Sequence, residues 1–181
     1  MWYRIDAVDR VCAVSDDWEE AARQNGAPGL LAATVLGRPI WSFIDGEAVC
    51  FHYARIFETV RQTQRASQLR MRADGPFRQS LLEIDVAPDA GQCLTVTVET
   101  LRERATAHTP LWDRSLPRGS TVSVACSWCK AIRVDHTWLR QVDAAAVVPE
   151  FRSLVPPEVL HDVCPSCDQR VSQMMHAALA H

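Results

Sequence analysis

Lysine is almost missing from this chain: of its 19 basic residues Lys130 is the only lysine, and the rest are arginines. We read that bias as genomic rather than mechanistic. The arginines are scattered and the net charge is -3, so there is no broad electrostatic footprint for nucleic acid, which is not an expected partner. Long apolar runs are also lacking, and no segment approaches the roughly 18 residues needed to span a bilayer. The opening "MWYRIDAVDRVCAVSDDW" has no cationic lead before an apolar stretch, so a cytoplasmic location without membrane partners is expected. Nucleophile elbows, phosphate loops, H-E-x-x-H and paired catalytic carboxylates are missing too, which points away from an enzyme. The acidic group Asp16, Asp17, Glu19 and Glu20 reads instead as the solvated first turn of a helix.

What is present is ordinary globular material, 48% hydrophobic and 23% charged, enough for one medium core or two smaller ones. Mixed β-branched and polar residues from Arg4 to Val14, broken at Asp9, suit two short strands. "SDDWEEAARQNG" then carries helix boundary signals, with Ser15 as N-cap and Gly26 as stop. "APGLLAATVLGRPIWSFI" reads as a loop with short helical turns. Between Gly46 and Thr63, the residues Val49, Tyr53, Ile56, Phe57 and Val60 recur at three-to-four spacing and predict one long helix with a buried face.

After Gln64 the period falls to two. "SQLRMRA", "LLEIDV" and "CLTVTVE" each alternate apolar with polar residues, and the turns "ADGP" and "APDAG" between them are short. Three antiparallel strands are expected. Residues 105–121 lose all periodicity and are expected to form a linker. Beyond them come a short helix near Trp138 to Val148, a break at Pro156-Pro157, and a last helix with Val171, Met174, Met175 and Ala178 on one face.

Two strands, a helical middle and three antiparallel strands, with "IDAVDRVCAVSDDWEEAARQNG" at the front and "VLGRPIWSFID" before the long helix, resemble a PAS domain. The resemblance covers about 1–104. It implies a curved five-stranded sheet with helices over its concave face, and a sensory role that takes a small ligand or passes strain to a protein partner. The pocket residues it implies are Trp18, Trp41, Phe43, Cys50, Tyr53, Phe57 and Met71. Some relatives hang haem from a histidine on the long helix; His52 lies beside the apolar stripe, so a partly exposed histidine is expected there and haem is not.

Four of the seven cysteines form two C-x-x-C pairs, Cys126 with Cys129 and Cys164 with Cys167. In a reducing compartment such pairs are more often metal ligands or redox thiols than disulfides. Each pair can turn two sulfurs toward one point, and two such halves make a closed tetrahedral zinc site with Zn–S near 2.3 Å. The 34 residues between the pairs exceed the usual ribbon spacing but leave room for a helix. "CSWCKAIR", Trp138 and "HDVCPSC" together resemble the cysteine module appended to many bacterial signalling proteins, although Asp162 stands where that pattern prefers glycine.

In this reading Lys130, Arg133 and Arg170 offset the site's charge, His161 is outside the ligand set, and Cys12, Cys50 and Cys93 are small buried hydrophobes. The expected architecture is α+β: a PAS-like antiparallel five-stranded sheet with helices on one face over 1–104, then a zinc-ribbon-like α+β module over 122–181 ending in a helix. The expected function is sensory or protein-interacting, with structural zinc, an unidentified ligand in the PAS-like pocket and a signalling protein as partner. Two rivals stay open: a zinc-dependent nucleic-acid-binding regulator, and a dithiol redox protein.

Overall fold

The computed structural model describes residues 1–24 and 27–179. Gly26, the expected stop of the first helix, lies outside the described residues. Strands β1 (Trp2–Ile5) and β2 (Val11–Val14) form the expected opening pair, antiparallel, with an irregularity between Arg4 and Ile5. Helix α1 (Trp18–Gln24) follows, with Glu19 and Glu20 in its first turn, where the positive end of the helix dipole favours them. Ser15 does not cap it with its side chain. The Ser15 hydroxyl accepts the Trp2 N–H at 3.0 Å and donates to Asp17, so it pins the first strand instead.

The apolar middle is as irregular as its glycines and prolines suggest: single turns at Pro28–Leu30 and Ile40–Phe43 flank the four-residue helix α2 (Ala32–Val35). The Gly-Arg turn has a definite task. Gly37, at φ +78, donates its N–H to Val11 O at 2.7 Å, and Arg38 O accepts the Val11 N–H at 2.9 Å. A side chain at that φ would be strained, so glycine lets the loop clasp β2.

Helix α3 (Glu47–Thr63) has the expected limits and buries Val49, His52, Tyr53, Ile56, Phe57, Thr59 and Val60. The buried stripe is wider than the three-to-four pattern alone suggested, and it corrects the expectation for His52, which is only 4% exposed. Strands β3 (Ser67–Asp74), β4 (Arg78–Pro88) and β5 (Leu94–Ala105) follow, each running further than its alternating core. The five strands form one antiparallel sheet in the order β2-β1-β5-β4-β3.

The second sheet is built from β6 (Val122–Cys126), β7 (Ile132–Val134) and β8 (Thr137–Leu139), antiparallel in sequence, with β9 (Glu158–Asp162) parallel to β6. Helix α4 (Gln141–Val147) occupies the crossover between β8 and β9 that a parallel pair requires. Trp138 is therefore in a strand, not in the short helix expected to begin with it. Helix α5 (Pro165–Leu179) ends the described chain and buries Val171 and Met175.

Contacts group the chain into two compact units. The first comprises Met1–Leu69, Glu83–Glu99 and the chain from Arg170 onward. Its core includes Ile5, Val11, Ile56, Phe57, Val60, Val86, Leu94 and Val96, each at most 2% exposed. The second comprises Arg70–Leu82 and Thr100–Gln169. Its core is Leu111, Ala125, Ile132, Ala144 and Phe151, with Trp112, Val134, Leu139, Ala145, Val148 and Val159 packed around it.

Candidate metal centre

The first cysteine pair sits on a hairpin knuckle. Cys126 ends β6, the Lys130 N–H returns to Cys126 O at 3.0 Å, and the Cys126 N–H reaches Ala131 O at 2.8 Å. Closing that turn puts Lys130 at φ +61, a left-handed conformation usually left to glycine. The second pair opens α5. Cys164 O accepts from the Cys167 and Asp168 N–H groups, and Pro165 is the first helical residue, where a missing N–H costs nothing. A helix N-terminus also favours negative charge, which suits the thiolates of Cys164 and Cys167.

The parallel pairing of β6 with β9 joins the two halves. Cys126 is in register with Asp162, the Ser127 N–H donates to Asp162 O at 2.9 Å, and the Cys164 N–H points at Cys126 Sγ at 3.4 Å. All four sulfurs lie within 4.8 Å of one another, with Cys129 Sγ to Cys164 Sγ at 3.6 Å. A tetrahedral ion with Zn–S near 2.3 Å requires sulfurs about 3.8 Å apart, whereas a disulfide requires about 2.05 Å. The spacing fits a shared ion, and all four cysteines are free of disulfides. Cys126, Cys164 and Cys167 are buried and Cys129 is half-buried, so the site is closed, as a structural site is and a catalytic one is not.

Without an ion the four sulfurs share protons unequally. Thiol hydrogen bonds from Cys129 and Cys167, with the Cys164 N–H, hold Cys126 far below the ordinary thiol range. The same contacts push Cys129 up to about 11 and Cys167 well above its ordinary value. A metal ion displaces these protons and is favoured as pH rises.

The surroundings differ in part from what the sequence suggested. Lys130 is there: its Nζ donates to Ser127 O at 3.0 Å and lies 5.7 Å from the Trp112 ring centre. Burial pulls its pKa down, while Asp74 and the sulfurs of Cys126 and Cys129 hold it up. Arg133 instead approaches Asp162 at 3.9 Å, so its charge is spent locally, and Arg170 is grouped with the first unit. His161 is half-buried and is not one of the four clustered ligands.

Sequence reasoning missed Arg72. Its backbone N–H donates to Trp128 O at 2.7 Å, and its guanidinium reaches Cys129 O at 3.5 Å and pairs with the buried Asp74 carboxylate. Thus β3, an edge strand of its sheet, has backbone capped by the first knuckle. The contact spans 57 residues and leaves no local signal, beyond an arginine and an aspartate two apart on a strand.

The structure brings the residues implied by the PAS resemblance together only in part. Trp41 and Tyr53 pack on Phe57 at 5.6 and 5.9 Å between ring centres. Trp18 stacks edge-on to Tyr3, and its indole N–H donates to Leu30 O. Phe43 lies under the Arg38 guanidinium, and the Cys50 thiol donates to Ile44 O. Met71 is grouped with the second unit, whereas the other six belong to the first. Cys12 is exposed, and Cys50 and Cys93 are half-buried, which corrects the expectation that all three are core: Cys12 points away from the buried Val11, as alternation on a strand dictates. Among the described residues no helix is long and apolar enough to cross a membrane. No family model matches the chain, and neither a curated protein nor a solved structure does.

Proposed function

We propose that this chain is a non-catalytic bacterial sensory or protein-interaction protein of the cytoplasm, with a PAS-like first part and a second part clasped by structural zinc on Cys126, Cys129, Cys164 and Cys167. The observation that carries the reading is the sulfur cluster: four thiols from two distant knuckles, closed to within 4.8 Å and mostly buried. A closed site of this kind leaves no open coordination position for substrate, so its role is to hold a surface rigid. The five-stranded antiparallel sheet and its long preceding helix support the PAS-like part. Signal then leaves through contact with another protein, and the small ligand of the first part is unidentified.

The test compares zinc-loaded and chelated protein as bait. Zinc-loaded bait retains a defined protein partner and chelated bait does not, while the loaded protein passes through heparin or duplex DNA at low salt. Retention on DNA that falls steeply with salt overturns the reading in favour of a nucleic-acid-binding regulator. Disulfide reductase activity in the metal-free protein overturns it in favour of a dithiol redox protein.

A further inference from the structure

A second candidate site lies in the second unit and shares Arg72 with the first cysteine knuckle. A groove of about 300 Å³ is lined by Arg72, Gln79, Ser80, Leu81, Arg102 and Arg104. Its volume is at the lower end of the range of small-molecule pockets. Arg102 and Arg104 are two apart on β5, so both project from the same face. They lie where β5 is exposed along its length, from Glu99 to Ala105.

The charge in this groove is unbalanced. Arg72 is neutralised by Asp74. Among the described residues no carboxylate pairs with Arg102 or Arg104. The Arg104 guanidinium is held by a neutral group, the Gln79 carbonyl oxygen, which accepts from Nε at 2.9 Å and from Nη2. An amide fixes the orientation of a guanidinium without cancelling its charge, which an ion pair would do. The nearest acid on the same strand, Glu103, is occupied by the Ser80 hydroxyl at 3.0 Å and faces Arg78 at 3.8 Å. Two guanidinium charges are left over, on a surface whose net charge elsewhere is negative.

We propose that this groove binds a phosphate-bearing small molecule through Arg102 and Arg104, with Gln79 as the residue that orients Arg104. The guanidinium fork matches phosphate oxygens in pairs. With its carbonyl engaged by Arg104, the Gln79 amide keeps its N–H2 group to offer, so three side chains supply donors. That number suits the three terminal oxygens of a phosphoryl group better than the two of a carboxylate. Leu81 provides an apolar wall for the remainder of the ligand. The proposal is independent of the sensory reading and of which metal the cysteines hold.

Calorimetry on the purified full chain, at low ionic strength and with inorganic pyrophosphate as probe, tests the assignment. Pyrophosphate is expected to bind at one site. Arg102→Gln and Arg104→Gln are each expected to weaken binding by about tenfold or more, with Arg104→Lys, which keeps the charge but loses the fork, falling between wild type and Arg104→Gln. Gln79→Ala is expected to weaken it about threefold through the lost orientation of Arg104. Arg152→Gln, at an exposed position in the same unit, is expected to bind as wild type. Near-ultraviolet circular dichroism and metal content check that each variant is folded. Failure of wild type to bind pyrophosphate overturns the proposal. So do equal affinity for succinate, binding of an oligonucleotide but not of pyrophosphate, or a loss in Arg152→Gln as large as in the groove variants.

Discussion

The two units solve the problem of stability by different means. The first fills its interior with large side chains: Ile5, Ile56, Phe57, Val60, Val86, Leu94 and Val96 are essentially inaccessible. At about 25 cal/mol per Å² of buried apolar surface, each of these side chains contributes roughly 1.5–3 kcal/mol. The second buries Trp128, Leu111, Ile132 and Phe151, but sets them beside Ala125, Ala144, a buried carboxylate at Asp74 and the four-cysteine cluster. Such a core mixes hydrocarbon with polar groups that burial alone does not stabilise. An ion held by the four cysteines would add coordinate bonds to that core, and zinc is worth on the order of 10 kcal/mol to small modules of this kind.

The comparison breaks most sharply if the metal is removed. Chelation, or Cys164→Ser, is expected to unfold the second unit and leave the first intact. Hydrogen exchange reads this residue by residue: protection at Ala125 and Ile132 is lost, while protection at Val86 and Val96 persists. Uniform loss in both units would show that the division of labour is wrong.

The reciprocal experiment has a smaller effect. Phe57 is wholly buried on α3 between Trp41 and Tyr53, and Phe57→Ala is expected to cost the first unit about 3–5 kcal/mol through lost transfer energy and a cavity. Denaturant titration measures that loss, and zinc content per chain is expected to stay at the wild-type value. A variant that also sheds its zinc would couple what the account separates.

The smallest effect is electrostatic and belongs to the first unit. Asp89 accepts from its neighbour's N–H at 2.7 Å and from Thr95 Oγ1 at 3.0 Å, and it pairs with Arg4 at 2.8 Å. These contacts, led by the Ala90 N–H, hold its carboxyl below the ordinary range in the folded chain. A lowered pKa means stability that is present above the unfolded value, near pH 4, and is lost as pH falls through the folded value. Wild type is expected to lose more stability than Asp89→Asn between about pH 5 and pH 3, measured as the shift in urea midpoint. Equal shifts in the two proteins would remove Asp89 from the account.

How much of this could be read in advance varies with the range of the interaction. Periodicity marked α3 to the residue, because Val49, Tyr53, Ile56, Phe57 and Val60 lie on one face and Gly46 and Gln64 end it. Alternation located the cores of β3, β4 and β5 but not their ends, since the outer halves of β4 and β5 carry Arg78, Gln79, Arg102 and Arg104 on faces with no apolar partner to alternate against. The four-cysteine cluster was legible because two residues between cysteines is itself the geometry of a bidentate turn. Their clasp on Arg72 was not, because it joins backbone N–H to carbonyl, groups that every residue carries. The strand at Trp138 is hidden for the same kind of reason: it is three residues long, and pairing with β7 rather than propensity decides it. The burial of His52 shows the limit of a stripe drawn from apolar letters alone, since the buried face of α3 takes in His52 and Thr59 as well.

The central claim, that four cysteines hold the second unit together through one ion, is tested most directly by metal content and thiol titration on the same reduced, purified sample. The account predicts one zinc per chain, with the thiols of Cys126, Cys129, Cys164 and Cys167 protected from a thiol reagent until a chelator is added, while the exposed Cys12 reacts at once. A chain without metal, in which those four thiols react as freely as Cys12, would contradict it.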